Sequence, residues 1–449
     1  MTAIAGVAKP RQTKIVQTML DTMFYRGNAG SGLLENDAVT AGLTWSRPQA
    51  KDQELLRQNH LIRDFAGTSH FSLAYPREKG FFLKRDPLGI APLYYGHTSD
   101  GTLVFASEVK ALLPLTRKIS ELPPGTSYEN GKIHAYFKVE LQAPLPEPAE
   151  AIALHLRELL IESVQRCING NEMGSWLSGG LDSSVLAAIA NTMVSSLHTF
   201  TAGLADSPDV LAARVVAGHL HSKHHEMIVT PQDLVAILPE VIYHLESFDA
   251  LLVRSSMTNY LVAKLASDFV PEVLSGEGGD ELFGGYEYLK GIPVTDLPAE
   301  LVDIINRLHN TALQRVDRSA SAHGSVAHVR FLDPDVVDLA LRIPAKYKIN
   351  HGEEKWILRE AMKGMLPESI LHRKKAKFWE GAGVTSHLSE YADSVISDQD
   401  FKTRSNLPNG WTLNSKEEFL YYQIFKEHFG EFEDLDWMGR TKGAPIQRF

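Results

Sequence analysis

Two short segments carry most of the chemistry the sequence can offer. The first is Ser178-Gly179-Gly180-Leu181-Asp182-Ser183-Ser184. It follows an apolar strand (Gly174-Ser175-Trp176-Leu177) and precedes an apolar helix (Val185 to Ala190). Two glycines let backbone N–H groups turn inward, the helix start adds partial positive charge, and Ser178, Ser183 and Ser184 add hydroxyls. That is a cradle for phosphate. A Ser/Gly turn alone would mean little; the strand–turn–helix setting makes it specific. The Walker lysine is absent, so this is a different loop. Asp182 belongs in an anion site only beside a cation such as Mg²⁺. The second segment is Ser275-Gly276-Glu277-Gly278-Gly279-Asp280-Glu281-Leu282-Phe283-Gly284-Gly285-Tyr286, after the apolar Val273-Leu274. Its glycines and acids suit a backbone shaped around a ligand better than a core. Asp280 is a candidate second Mg²⁺ ligand, and Glu277 a candidate general base at a strand's carboxyl end. The bland alternative is a solvated acidic loop.

A third strip, His372-Arg373-Lys374-Lys375-Ala376-Lys377-Phe378-Trp379-Glu380-Gly381-Ala382-Gly383, sets four cations before a Gly-rich turn. Such a strip is often only solvated surface. A loop that handles triphosphate without its own lysine needs a remote cation, however, and this strip and Arg254 are the candidates.

The elements that must position these residues fall into two sets. Residues 1–140 read as strand-rich, with short apolar runs such as Phe71–Tyr75 and Leu103–Ala106 between turn residues, and a helix over Lys14–Met23. Leu141–Ala149 holds three prolines and reads as a linker between domains at 1–142 and 150–449. A helix over Ala151–Cys167 follows. Strands at Gly174–Leu177, His198–Leu204 and His225–Val229 then alternate with helices from Ser183 and over Val210–His219, which predicts a parallel sheet with helices on both faces. Leu204, ending its strand, is counted with the nucleotide-binding residues. Residues 300–370 and 410–430 read as mostly helical, and Ser415-Lys416-Glu417-Glu418 as a capping box for the last helix.

Composition narrows the class. The chain has 449 residues, 44% of them hydrophobic and 22% charged, with a net charge of -10. This excludes a disordered or fibrous protein and disfavours nucleic acid as a partner. The single cysteine, Cys167, forms no internal disulfide, no Cys/His spacing suggests zinc, and its apolar neighbours make it a core residue. With no signal-peptide pattern and no membrane span, a cytoplasmic protein is expected.

The two loops, with Phe248-Asp249-Ala250-Leu251-Leu252-Val253-Arg254-Ser255-Ser256, Asp317-Arg318-Ser319, Phe331-Leu332-Asp333 and the basic strip, resemble the glutamine-dependent asparagine synthetase family and its relatives, the β-lactam and carbapenam synthetases. The resemblance spans nearly all of residues 150–430. It implies an N-terminal Ntn-type antiparallel αββα sandwich, degenerate here, and a C-terminal parallel-sheet PP-loop ATP pyrophosphatase domain. It implies ATP and Mg²⁺, a carboxylate that attacks the α-phosphate, and an amine or ammonia that displaces AMP. By position Asp182 and Asp280 match the family's Mg²⁺ ligands, Glu277 its acid near the acyl-adenylate, and Lys375 the lysine that stabilises the tetrahedral intermediate. The nucleotide-binding set is Ser178–Ser184, Leu204, Arg254, Ser275 and Gly276.

The departures bear on function. The family glutaminase begins on a cysteine after Met1, whereas this chain has Thr2, and the thiolate is the nucleophile of glutamine hydrolysis. The family's Asn-Gly-Glu segment has no match, and the domain looks shortened between Trp45 and Gly67. What remains is scaffold: Arg26-Gly27, Arg85-Asp86-Pro87-Leu88-Gly89 and Ser107-Glu108-Val109-Lys110. The domain is expected to be a structural half that seals the interface. Leu251 and Leu252 replace two threonines of asparagine synthetases, giving an apolar substrate wall. An aspartate-like zwitterion would lose hydrogen bonds there at about 1–3 kcal/mol for each unsatisfied group. Glu277 follows the asparagine synthetase pattern, while the turn at Glu380 resembles the β-lactam group. Val326 and His328 replace Glu and Arg, and packing is expected in place of a salt bridge. The reading is an amide ligase that does not use glutamine. The alternatives are an ammonia-dependent asparagine synthetase, ring closure, and an inactive scaffold. A homodimer and a separate glutaminase or pathway partner stay open.

Overall fold

The structure, a computed structural model, describes residues 2–46, 62–65, 69–374 and 385–441. Short apolar runs broken by turn residues give the N-terminal half β1 (Ile4–Val7), β2 (Gly30–Glu35), β3 (Thr40–Trp45), β4 (Ile62–Phe65), β5 (Phe71–Arg77), β6 (Gly80–Arg85), β7 (Tyr94–His97), β8 (Leu103–Ala106), β9 (Ile119–Glu121), β10 (Thr126–Glu129) and β11 (Lys132–Ala135). They form two antiparallel sheets, ordered β2-β3-β1-β8-β7-β9 and β11-β10-β6-β5-β4. The sheets pack face to face. Phe81 of one meets Phe105 of the other edge-on at 4.8 Å between ring centres, in a core with Ile4, Leu43, Leu83 and Tyr128. Helix α1 (Thr13–Thr22) buries Val16, Met19 and Leu20 against the first sheet. Strand β4, within the stretch between Trp45 and Gly67 expected to be shortened, pairs with Phe71–Ala74.

The proline-rich connector is not a free tether. Leu145 N–H donates to Arg342 O at 2.8 Å, and Asn306 Nδ2 donates to Val139 O at 3.3 Å. Helix α2 (Ala149–Gln165) then opens the second half. β12 (Glu172–Trp176), α3 (Leu181–Asn191), β13 (Ser196–Gly203), α4 (Pro208–Leu220) and β14 (Lys223–Ile228) alternate as expected. After α5 (Pro231–Leu245) and α6 (Ala250–Ser267) come β15 (Glu272–Leu274), α7 (Gly279–Phe283), α8 (Leu297–Asn306), α9 (Ala312–Ser321) and β16 (Val326–His328). The strands are parallel, ordered β14-β13-β12-β15-β16. From β12 the chain winds one way to β13 and β14, and β15 and β16 lie on the other side. The crevice where the order reverses therefore opens beyond the carboxyl ends of β12 and β15, where such sheets bind ligands.

Smaller expectations fare variously. Cys167 is buried, and burial pushes its thiol up to about 11. Ser415 Oγ caps the helix Lys416–Phe429 by accepting from Glu418 N–H at 3.1 Å, but the Glu418 carboxylate takes the Asn414 N–H at 2.7 Å, so the box is not reciprocal. A reciprocal box stands instead at Thr230 and Asp233, before α5. Val326 is buried, as expected for packing, while His328 Nε2 keeps a polar partner, Glu272 Oε2, at 3.0 Å. Among the described residues no helix is long and apolar enough to cross a membrane.

Candidate active site

The first loop turns on Gly179, whose φ is +66° and whose missing Cβ would lie 2.4 Å from the backbone of Ala212 in α4. No side chain fits there, so the loop packs against α4 while its next residues start α3. Hydroxyls brace it. Ser178 N–H donates to Ser183 Oγ at 3.3 Å, Gly180 N–H to Ser178 Oγ at 3.3 Å, and Ser184 Oγ–H to Gly180 O at 2.7 Å. Ser184 is thus used within the loop.

A cavity of about 840 Å³ opens at the strand reversal. From the first loop Ser178, Gly180, Leu181, Asp182 and Ser183 line it, and from the second Ser275, Gly276, Glu277 and Asp280. Leu251 and Leu252 form part of a wall, with Leu252 buried. Gly179 and Ser184 brace the loop from behind. Lys375 and Glu380 lie outside the described residues; Arg373 and Lys374, just before them, line the cavity.

Two predicted residues are not brought in. Arg254 reaches away, with Nε 2.6 Å from Glu417 Oε1 and Nη2 3.0 Å from Ser389 Oγ. Leu251, Leu252, Ser255, Thr258, Asn259 and Val262 form the cavity face of α6; Arg254 stands on the flank of that face, and Glu417 and Ser389 hold its guanidinium outside the cavity. Leu204 lies just past the end of β13, packs against the core and closes a turn by accepting from Ser207 N–H at 3.0 Å; Thr201 and Ala202 of β13 face the cavity.

The charges are arranged in pairs. Lys355 Nζ lies 2.5 Å from Asp182 Oδ2 and 2.5 Å from Asp280 Oδ1, joining the two loops. Burial works to lower the pKa of this ammonium, but the two carboxylates outweigh it and hold the group above the ordinary lysine range. Glu277 forms an ion pair with Arg315 of α9. Arg373 spans Asp209 Oδ1 at 2.8 Å and Ser178 O at 3.3 Å, which fixes the start of the basic strip against the first loop. Glu281 is buried beside them, and burial, then Asp280 and Glu277, push it up to about 7. Tyr286 Oη–H donates to it. Sequence reasoning missed Lys355, Arg315 and Glu281 as site residues. Arg315 stands two residues before the quoted Asp317-Arg318-Ser319. The excess of acids in the second loop, with the missing lysine of the first, was the signal that a cation was owed.

Behind the cavity, α9 meets the N-terminal half. Arg26 binds Asp317 through both terminal nitrogens, at 2.8 and 3.0 Å, and Glu108 at 3.0 Å. Arg318 reaches Glu108 at 3.2 Å and Glu246 at 3.0 Å, and Lys110 Nζ lies 2.6 Å from Glu108. Thr2 is 7% exposed, and its carbonyl accepts from Arg26 Nε at 3.4 Å.

The family model described as asparagine synthase matches residues 155–299 and 294–443, and that of a glutamine amidotransferase domain matches 49–114. Asparagine synthetase B [glutamine-hydrolyzing] of Escherichia coli (strain K12) is 37% identical over 393 residues, covering 82% of this chain and 71% of that protein. A probable asparagine synthetase [glutamine-hydrolyzing] of Schizosaccharomyces pombe is 38% identical over 384 residues, covering 77% and 69%. That of Dictyostelium discoideum is 33% identical over 415 residues, covering 84% and 74%.

Proposed function

Since the chain belongs to the asparagine synthase family of ATP-dependent, AMP-forming carbon–nitrogen ligases, we propose that it adenylates a small carboxylate and couples it to ammonia or an amine without hydrolysing glutamine. The observation that carries this is the N-terminal nucleophile position. Thr2 stands there and is buried, and the chain's one cysteine is Cys167, buried in the other half with its thiol pushed up to about 11. Neither supplies the thiolate that attack on glutamine needs.

The cavity supports the remaining roles, and the resemblance alone supplies that of Lys375. The amides and hydroxyls around Gly180–Ser183 hold phosphate oxygens, and Lys355 and Arg373 offset their charge. Asp182 and Asp280 already reach one cationic nitrogen between them. That oxygen pair fits Mg²⁺, which binds through one or two carboxylates plus substrate phosphates and would supply counter-charge to the pyrophosphate. Glu277, released from Arg315, takes a proton from the attacking amine, and Lys375 holds the developing oxyanion. Leu251 and Leu252 offer no hydrogen bonds, which suits a carboxylate less polar than aspartate. The second reading, ammonia-dependent asparagine formation, is favoured by Glu277 and by the identity to asparagine synthetases.

The test is incubation of the full chain with Mg·ATP and a pool of small acids that includes aspartate. Ammonium, glutamine or mixed amines are added in turn, and AMP, pyrophosphate and new amides are read by mass spectrometry. Turnover with ammonium or an amine, and none with glutamine alone, is expected. The product mass names the substrates, and an asparagine product selects the second reading. Lys375→Met and Asp182→Asn should each abolish product with the fold intact. Turnover on glutamine alone would make Thr2 an active nucleophile and overturn the proposal.

A further inference from the structure

The Lys355 side chain is threaded into its place rather than laid there. Its backbone is left-handed, with φ +57°, at the start of the helix Trp356–Ala361, whose first turn hangs on its carbonyl through Leu358 N–H at 2.9 Å and Arg359 N–H at 3.1 Å. The residue is 4% exposed. The stem passes over Gly285, where a Cβ would stand 2.2 Å from Lys355 Cε and 2.0 Å from Asp280 Oδ1. Any side chain at 285 would push the lysine out. A non-glycine residue seldom accepts positive φ, so the backbone, the missing side chain at 285 and both carboxylates all converge on one ammonium position. That position lies between the two oxygens that the proposed function gives to the metal.

We propose that Lys355 is a built-in occupant of the cation position, which keeps free divalent metal out of the Asp182/Asp280 pair until a triphosphate arrives and draws the ammonium onto its own oxygens. This rests on the reading of Asp182 and Asp280 as metal carboxylates. A bare divalent ion must displace a tethered ammonium already paired with both carboxylates, and gains only those two carboxylates in return. An ion that arrives with ATP brings phosphate oxygens that serve both the ion and the lysine. Metal and nucleotide therefore enter as one complex.

The probe is Mn²⁺, titrated into the full-length protein and followed by the electron paramagnetic resonance of the free ion, with and without α,β-methylene-ATP. The wild-type protein should bind Mn²⁺ in the Asp182/Asp280 pair only with the nucleotide. Lys355→Met should gain a nucleotide-free Mn²⁺ site tighter than any in the wild type by about tenfold or more. Adding Asp182→Asn to that variant should remove it. Nucleotide-free wild-type protein that binds Mn²⁺ as tightly as the variant overturns the proposal, and this measurement on the wild type needs no variant to fold. If Asp182→Asn leaves Mn²⁺ binding with the nucleotide unchanged, the metal reading itself fails. If it weakens that binding while Lys355→Met gains nothing, the occupancy of Lys355 alone is wrong.

Discussion

Lys348 shows how far a single buried side chain can lean against its surroundings. Its ammonium is buried behind the second loop and donates to Leu282 O at 2.8 Å, and burial alone pulls its pKa down to about 7. Below pH 7 both the folded and the unfolded chain carry the proton, and the fold bears the full cost of the buried charge. As pH rises toward the unfolded value near 10.4, the unfolded chain holds a proton the folded one has shed, so stability increases with pH across that window. At about 1.36 kcal/mol per unit the penalty is roughly 3–5 kcal/mol, more than the ~1–3 kcal/mol for an orphaned carbonyl. Lys348→Met should therefore raise the melting temperature at pH 6, with the gain shrinking toward pH 10. A gain that does not depend on pH would sink the assignment. This lysine was invisible in the sequence, as was Lys355. Nothing in Tyr347-Lys348-Ile349 or Glu354-Lys355-Trp356 marks burial, because Lys348 is drawn to the carbonyl of the distant Leu282 and Lys355 is threaded past the empty space at the distant Gly285. Asp182, Glu277 and Asp280 were legible because glycine, serine and acid so crowded after an apolar strand have no use in a core.

Helix α6 is read best as a whole element. One face carries Leu251, Leu252 and Ser255 into the cavity, and the flank of that face sends Arg254 to Glu417 on the helix Lys416–Phe429. The sequence offers Arg254 as a remote cation for the phosphates; it stands at the flank of the cavity face, next to Leu251 three residues before it, and Glu417 holds its guanidinium away from the cavity. Glu417 is buried and also accepts from Tyr421 Oη–H at 2.6 Å. Removing the guanidinium would leave that carboxylate unpaired, at a cost of about 3–5 kcal/mol for a buried pair. Arg254→Met should lower the melting temperature by several degrees while the folded fraction keeps the nucleotide KM of the wild type. A raised KM with unchanged stability would return Arg254 to the phosphate site. The strand–helix alternation of the second half was legible for the opposite reason: hydrophobic period and turn residues agree there, so each expected element stands within a few residues of its place.

At the scale of the molecule, the two halves meet through charge as well as through oil. Arg26, Glu108, Lys110, Glu246, Asp317 and Arg318 form a balanced set with no side chain more than 10% exposed. Burial works to raise the pKa of Glu108, but Lys110, Arg318 and Arg26 hold it well below the usual carboxylate range. Its contribution is thus present above the unfolded value near 4.3 and is lost as pH falls through its depressed folded value. Glu108→Gln should strip three cations of a shared partner, lower the unfolding midpoint in urea at pH 7, and lose less at pH 3. An unchanged midpoint at pH 7 would mean the network is ornamental. The retained scaffold motifs of the first half were legible as motifs, but their partners were not, since Arg26 and Asp317 stand 291 residues apart. Helix α9 gives this network a further meaning. It presents Arg315 to Glu277 on one side and plants Asp317 and Arg318 in the N-terminal half on the other. For a lineage, that makes the domain a ratchet. Exchanging one nucleophile retires a chemistry at a single codon, whereas deleting the domain strands buried ions on the surviving half. Selection can silence such a domain far more easily than it can discard it.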